Sequence, residues 1–271
     1  MDAQQKLEKL KSYLYDLESV AIAFSSGVDS SFLLKITHAI LGDKAIAITV
    51  RSGAFPQREL KESIDFCKKE GIRQIICNID ELAIEGFANN PPNRCYLCKK
   101  EIFTQITRLA NENNIKHVAE GSNVDDTGDY RPGLIAIDEL GIKSPLRHAG
   151  LMKNEIRSLS RSMGLPTWDK PSFACLVSRF PYGEKMSKDK LHMIEAAEQY
   201  LLDTGYRQIR VRHHGNLARI ETSEEDFKQL INNRAAIHQK LKKIGYSYIS
   251  VDLLGYRTGS MNETLSQEEK V

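Results

Sequence analysis

The stretch RCYLCKK, residues 94 to 100, sets two thiols, Cys95 and Cys98, three positions apart between basic side chains, and a third thiol, Cys175, stands far along the chain. Thiols at that spacing share one face of a helical turn. They suit three kinds of chemistry: a redox pair, half of a zinc site, or two corners of an iron–sulfur cluster. On spacing alone, a redox pair or half a zinc site is the commoner meaning. Zinc wants a fourth ligand, and His213 and His214 are the histidines nearest to other residues of chemical interest. Cys67 falls in a helical pattern and Cys77 in a strand pattern, so both read as core fillers.

A second constellation is SSGVDS, residues 25 to 30. It follows the apolar run AIAF and opens the apolar-periodic SFLLKITHAILG, so backbone N–H groups and the hydroxyls of Ser25, Ser26 and Ser30 converge on an anion, reinforced by the helix dipole. Gly27 and Asp29 complete the loop. Neither GxxxxGK(S/T) nor GxGxxG is present, so no lysine within the loop reaches a γ-phosphate. An isolated run of this kind is usually only a serine-rich turn that caps a helix. A third constellation is IRVRHH, where strand alternation puts Arg210 and Arg212 on one face, able to clamp a phosphate or merely to form salt bridges.

Stepping along the chain gives the elements that must position these groups. Short apolar runs (AIAF, AIAITV, RQIICNID, HVAEG) alternate with helical patterns, which predicts an α/β fold, a parallel sheet with helices on both faces. Ligands of such sheets bind beyond the carboxyl ends of the strands, where SSGVDSS, the stretch after VAEG and the loop holding Cys95 are expected to converge. A proline-marked irregular stretch, LPTWDKPSFACLVSRFPYGEKMS, precedes a compact helix–strand–turn–strand–helix–strand pattern. The expected domains are therefore residues 1–181 and a small α+β domain over 182–271.

Composition narrows the class. With 41% hydrophobic and 27% charged residues and a net charge of +2, the 271-residue chain is an ordinary globular protein without a polyanion-wrapping surface, so nucleic acid is not an expected partner. Five cysteines are too few and too odd for a secreted disulfide framework. No apolar run approaches a membrane span, and the N-terminal residues read as an amphipathic helix rather than a signal peptide. A cytoplasmic location without membrane contact is the expectation.

SSGVDS resembles the SGGxDS pyrophosphate-binding loop of the PP-loop ATP pyrophosphatases, with Ser26 where that pattern has glycine, a departure that narrows the backbone's approach to the anion. Asp29 matches the aspartate of the pattern. DDTGDYRPG (125–133), SRFPYG (178–183), AAEQYL, RVRHHGNLARIE and GYRTGSMNETL are together similar to the LarE sulfur transferases, and the likeness runs nearly the whole chain. It implies an ATP-dependent enzyme. In that family a carboxylate of pyridinium-3,5-biscarboxylic acid mononucleotide is adenylated, pyrophosphate leaves, and sulfur displaces AMP to give a thiocarboxylate, a step toward the nickel-pincer nucleotide cofactor of lactate racemase.

One branch of the family takes the sulfur from its own cysteine just ahead of SRFPYG. Counted back without gaps, that place is held here by Ala174, with the thiol one further on at Cys175, so the resemblance implies a different donor. A second branch, with three cysteines, holds a [4Fe-4S] cluster, and Cys95, Cys98 and Cys175 fit it. Three thiolates fix three irons of a cubane and leave the fourth open to carry an extra sulfide.

The resemblance also implies Arg210 and Arg212 for the substrate's nucleotide phosphate, and Glu198, Glu221 and Asp226 for a divalent metal, the last across an alignment gap. Mg2+ is expected with ATP. Ser178 and Arg179, close to Cys175, are expected to orient the substrate carboxylate or the adenylate. Asp125, Asp126, Asp129 and Arg131 fall where the nucleotide site is expected, although Asp126 equally caps a turn. The implied partners are the small-molecule substrate, a sulfide donor and further copies of the chain, a hexamer by analogy. The rival readings are an iron–sulfur-dependent tRNA thiolase of the same superfamily, whose RNA binding would be strongly salt-dependent, a nucleotide-binding zinc or redox sensor without turnover, and an ammonia-dependent synthetase that leaves the thiols unexplained.

Overall fold

A computed structural model describes residues 1–127, 132–172 and 174–266. The chain divides into two compact units, one made of Met1–Asp80 with Cys95–Phe173, the other of Glu81–Arg94 with Ala174–Val271.

The first unit is built on four parallel strands, β1 (Val20–Ala23), β2 (Ala45–Arg51), β3 (Gln74–Asn78) and β4 (His117–Ala119), in the order β3-β2-β1-β4. Val20 of the central β1 pairs with Ala45 on one side and His117 on the other. The chain between and around these strands forms α1 (Ala3–Asp16), α2 (Val28–Leu41), α3 (Gln57–Glu70), α4 (Arg94–Glu112), α5 (Gly133–Glu139), α6 (Pro145–Ala149) and α7 (Lys153–Ser162).

Strands covered on both faces are apolar throughout rather than alternating, and β1 shows the consequence. Val20 and Ile22 pack into a core with Leu10 and Leu14 of α1, Phe32 and Leu33 of α2, Phe66 of α3, Leu146 of α6 and Ile156 of α7. Ala21, with Ile46 and Ile48 of β2, packs on the opposite face against Phe103 and Ile106 of α4 and Ile137 of α5. Each fully buried Leu, Ile or Phe contributes about 1.5–3 kcal/mol of transfer free energy. This is the α/β architecture expected from the sequence. RCYLCKK differs from expectation in one respect, because it is not a loop but the first two turns of α4.

The second unit holds α8 (Lys188–Asp203), β5 (Ile209–His214), β6 (Leu217–Thr222), α9 (Glu224–Asn232), α10 (Arg234–Ile244) and β7 (Tyr248–Val251). Strands β5 and β6 form an antiparallel hairpin closed at Gly215 and Asn216, and β7 adds parallel to β6. Ile209, Val211, Ala218 and Ile220 meet Ala197 and Leu201 of α8 and Ile237 and Leu241 of α10 in a separate core.

Residues ahead of the first cysteine pair also belong to this unit. Gly183 N donates to Asn90 O (2.9 Å), Met186 N to Ala88 O (2.8 Å) and Asn90 Nδ2 to Pro181 O (2.6 Å), while the Arg94 guanidinium lies 3.9 Å from the Tyr182 ring centroid. The SRFPYG segment thus stands inside the second unit, whose longer stretch runs from Ala174.

Gly255, just beyond β7, has φ +64°, and a Cβ there would lie 2.6 Å from Thr222 O. The next residue, Tyr256, hydrogen-bonds Thr222 O and sets its ring 5.0 Å from the Arg210 guanidinium. Gly255→Ala should therefore destabilise the second unit by about 1–3 kcal/mol, read as a lower urea midpoint with an unchanged fold by circular dichroism.

Candidate active site

In the first unit the candidate residues stand at the turn from β1 into α2. Gly27 is the N-cap of α2 and makes no side-chain cap hydrogen bond, so the helix opens on backbone N–H groups. Ser25 Oγ and Ser30 Oγ lie 3.1 Å apart across the loop, and Ser30 Oγ also accepts from Ser25 N at 3.4 Å. Ser26 takes the left-handed φ of +54° that glycine adopts freely. Its hydroxyl does not line an anion site. It is buried and donates to Glu59 O (3.0 Å) and Glu59 Oε2 (3.2 Å).

The stretch after β4 meets this loop, as strand polarity requires. A Cβ on Gly121 would lie 3.1 Å from Ser30 N and 3.3 Å from Asp29 Cβ, so glycine permits the close approach. Asn123 Nδ2 donates to Asp29 Oδ1 at 3.3 Å, and Lys153, the first residue of α7, forms an ion pair with the same carboxylate. Asp126 accepts from Asn123 N (2.9 Å) and Asp125 from Lys153 N (2.8 Å), so both shape the backbone beside the loop. Asp129 and Arg131 lie outside the described residues.

The second unit carries its own set of candidate residues. Arg179 is fully buried, and its Nε and Nη2 donate to the two oxygens of Glu198 at 2.8 and 2.7 Å. Its Nη1 reaches Ala174 O (2.8 Å), Cys175 O (3.1 Å) and Ser178 Oγ (2.8 Å), and Ser178 Oγ donates to Cys175 O (2.8 Å). One guanidinium therefore holds the turn that carries Cys175, leaving the cysteine itself exposed. Burial opposes the Glu198 charge, but Arg179, Arg210 and the Val211 amide together hold its carboxyl below the ordinary value.

Arg210 and Arg212 share a face of β5, as the alternation requires, yet neither faces solvent. Arg212 Nη1 donates to Ser178 O (2.9 Å) and Nη2 to Glu221 Oε2 (2.6 Å) and Ser260 Oγ (3.1 Å). Arg210 lies over Tyr256, and burial followed by repulsion from Arg179 pushes it down to about 10. Glu221 also pairs with Arg219 at 3.3 Å. Asp226 sits in the first turn of α9, where its backbone N–H donates to Ser223 Oγ (3.3 Å).

Among the described residues, no three His, Cys, Asp or Glu side chains gather as a metal-binding group. Glu198 and Glu221 are paired with Arg179 and Arg212, and Asp226 stands on α9. Cys95 and Cys98 lie on one face of α4, Cys95 exposed and Cys98 half-buried, and no disulfide joins any cysteine. Cys67 and Cys77 are buried, which pushes both thiols up, Cys67 to about 12. His213 is packed between Phe180 and Tyr246, with Nδ1 3.3 Å from Tyr246 Oη.

No family model matches the chain. It is 33% identical over 265 residues to the pyridinium-3,5-bisthiocarboxylic acid mononucleotide synthase of Lactiplantibacillus plantarum, spanning 97% of this chain and 96% of that protein. The chain belongs to the LarE-type sulfur transferases. Uncharacterized proteins of Synechocystis sp. (39% identical, 97% of this chain, 99% of that protein) and Methanocaldococcus jannaschii (31%, 94% and 98%) are also full-length relatives.

In this LarE-type chain, sequence reading missed Lys153, Asn123, Lys170 and Glu59, all of which touch the phosphate loop. Lys153 carried a usable signal as a basic residue in the first turn of a helix, a place the dipole disfavours without an anionic partner. Nothing local marks Lys170 or Glu59.

Two outcomes follow. Glu198→Gln removes the charge that answers Arg179 and should cost about 3–5 kcal/mol, seen as a lower urea midpoint and freer alkylation at Cys175. Burial pushes His213 and His214 below their ordinary 6.5, so the unfolded chain binds protons that the folded one does not. Their contribution is present above about pH 6.5 and is lost as pH falls toward their folded values. The wild-type urea midpoint should be lower at about pH 5.5 than at about pH 7.5, and His213→Gln should narrow that gap.

Proposed function

We propose that this chain uses ATP to adenylate a carboxylate of pyridinium-3,5-biscarboxylic acid mononucleotide and converts it to a thiocarboxylate. The observation that carries this reading is the full-length relation to the synthase named for the bisthiocarboxylic product. The loop between β1 and α2 supports it chemically, since N–H groups at a helix start accept the pyrophosphate that an adenylation releases. In this reading the nucleotide binds beside the Asp29–Lys153 pair and Asn123, which border that loop.

Arg179 and Ser178 hold the Cys175 turn, which limits the directions its sulfur can take. Arg210 receives the substrate's nucleotide phosphate in this reading. Burial and Arg179 both oppose its charge, and an anion relieves that opposition. Arg212 supports it from the same face.

The sulfur carrier in this proposal is a [4Fe-4S] cluster held by Cys95, Cys98 and Cys175. Accessibility supports this choice of thiols: these three are wholly or partly exposed, whereas Cys67 and Cys77 are buried with raised pKa. Bound by these three thiolates, such a cluster would supply sulfide-level sulfur to the activated carboxylate. Glu198 and Glu221 answer arginines, so no step is routed through a cation at these residues or Asp226; Mg2+ enters with ATP. Service to a lactate racemase cofactor and assembly as a hexamer belong to the same proposal.

The test is turnover under anaerobic conditions. Wild-type protein reconstituted with iron and sulfide should release pyrophosphate from ATP and the dicarboxylate, and mass spectrometry should find the thiocarboxylate. The triple variant Cys95→Ser, Cys98→Ser, Cys175→Ser should keep pyrophosphate release but lose iron and the thiocarboxylate. Equal iron content in variant and wild type would refute the ligand assignment.

A further inference from the structure

Lys170 lies in the first unit, beyond α7, and no part of the mechanism above uses it. Its side chain is 12% exposed, and its ammonium donates to Ser26 O (3.1 Å), sits 3.4 Å from Ser26 Oγ, and pairs with Glu59 Oε2 (2.7 Å) and with Glu62. Arg157 holds the turn that presents it, with Nη1 donating to Trp168 O (2.7 Å) and Nη2 to Lys170 O (2.8 Å). Arg161 stacks 4.8 Å from the Trp168 ring. Glu59 in turn takes the Ser26 hydroxyl and pairs with Arg58 at 3.3 Å.

We propose that Lys170, with Glu59 and Ser26, is the positioning group of the phosphate loop, setting the orientation of the Ser26–Gly27 peptide so that the Gly27 N–H is presented to pyrophosphate. In a trans peptide the C=O and N–H point in opposite directions. Anchoring Ser26 O on the Lys170 ammonium turns that oxygen away from any anion in the loop and turns the Gly27 N–H away from the buried Lys170–Glu59 cluster. The left-handed φ of Ser26 is what permits this peptide orientation. In a residue with a Cβ, that conformation costs about 1–3 kcal/mol unless the surroundings hold it. The Ser26 hydroxyl bonds to Glu59 hold it, which accounts for a serine where the related loops carry glycine. The lysine absent from the loop itself is thus supplied from outside, acting on the backbone rather than on phosphate.

This inference rests on the reading that the loop takes pyrophosphate, and the test separates the two. Inorganic pyrophosphate and, separately, AMP are titrated calorimetrically into the full chain. Wild type should bind pyrophosphate, Lys170→Met should bind it about tenfold or more weakly, and AMP affinity should be unchanged. Lys170→Arg, which keeps a cation for the Ser26 carbonyl, should recover much of the loss.

Wild-type affinity for pyrophosphate in a folded Lys170→Met overturns the inference while leaving the phosphate loop intact. Failure of wild type to bind pyrophosphate overturns both. If Lys170→Met does not fold, Ser26→Ala, which removes only the hydroxyl bonds, is measured with 15N-labelled protein. A weaker pyrophosphate-induced shift of the Gly27 amide, with severalfold lower affinity, supports the proposal. An unchanged Gly27 response and affinity reject it.

Discussion

A guanidinium taken out of water costs several kcal/mol unless its N–H groups are met, and Arg179 meets that condition with Glu198, two backbone carbonyls and the Ser178 hydroxyl. The same requirement recurs at Arg212 with Glu221 and at Lys170 with Glu59. Buried charge in this protein is spent on holding backbone. Arg179 and Arg212 anchor carbonyls of residues 174, 175 and 178, and Lys170 anchors that of Ser26.

This use of charge has a chemical logic. A loop that grips an anion must keep its own carbonyl oxygens out of the way, and a turn that presents a thiol must not wander. Hydrogen bonds from cations to carbonyls achieve both, and in a low-dielectric surrounding they resist rearrangement more firmly than neutral bonds. Their cost is sensitivity to single substitutions, because losing one partner strands a buried charge. The same reasoning explains why acidic residues that look available for a metal are engaged elsewhere: Glu198 and Glu221 are the counter-charges of the arginines.

The two units achieve this with different scaffolds. In the first, parallel strands deliver the loops after β1 and β4 to the same end of the sheet, and Gly121 lets them close to contact. In the second, a β-hairpin carries the arginines, and α8 carries the carboxylate that receives both Arg179 and the Val211 amide. Residues 81–94 and 174–183 bind one another through backbone hydrogen bonds, so the excursion before the Cys95 helix joins a fold encoded mostly downstream.

Much of this was legible along the chain. Largely apolar runs beside amphipathic helices determined the parallel sheet and its two covered faces, because burial on both sides leaves few polar positions in a strand. SSGVDS determined where the chain turns from strand into helix with backbone amides leading, since that depends on local sequence and not on distant partners. Tertiary structure alone decided which way the Ser26 hydroxyl turns, that Lys153 and Lys170 serve the loop, and that Arg210 and Arg212 lie inside rather than outside. Those outcomes depend on groups up to 144 positions apart, as Ser26 and Lys170 are. A buried ion pair has no local periodicity to betray it, because its stability comes from exclusion of water by the whole fold.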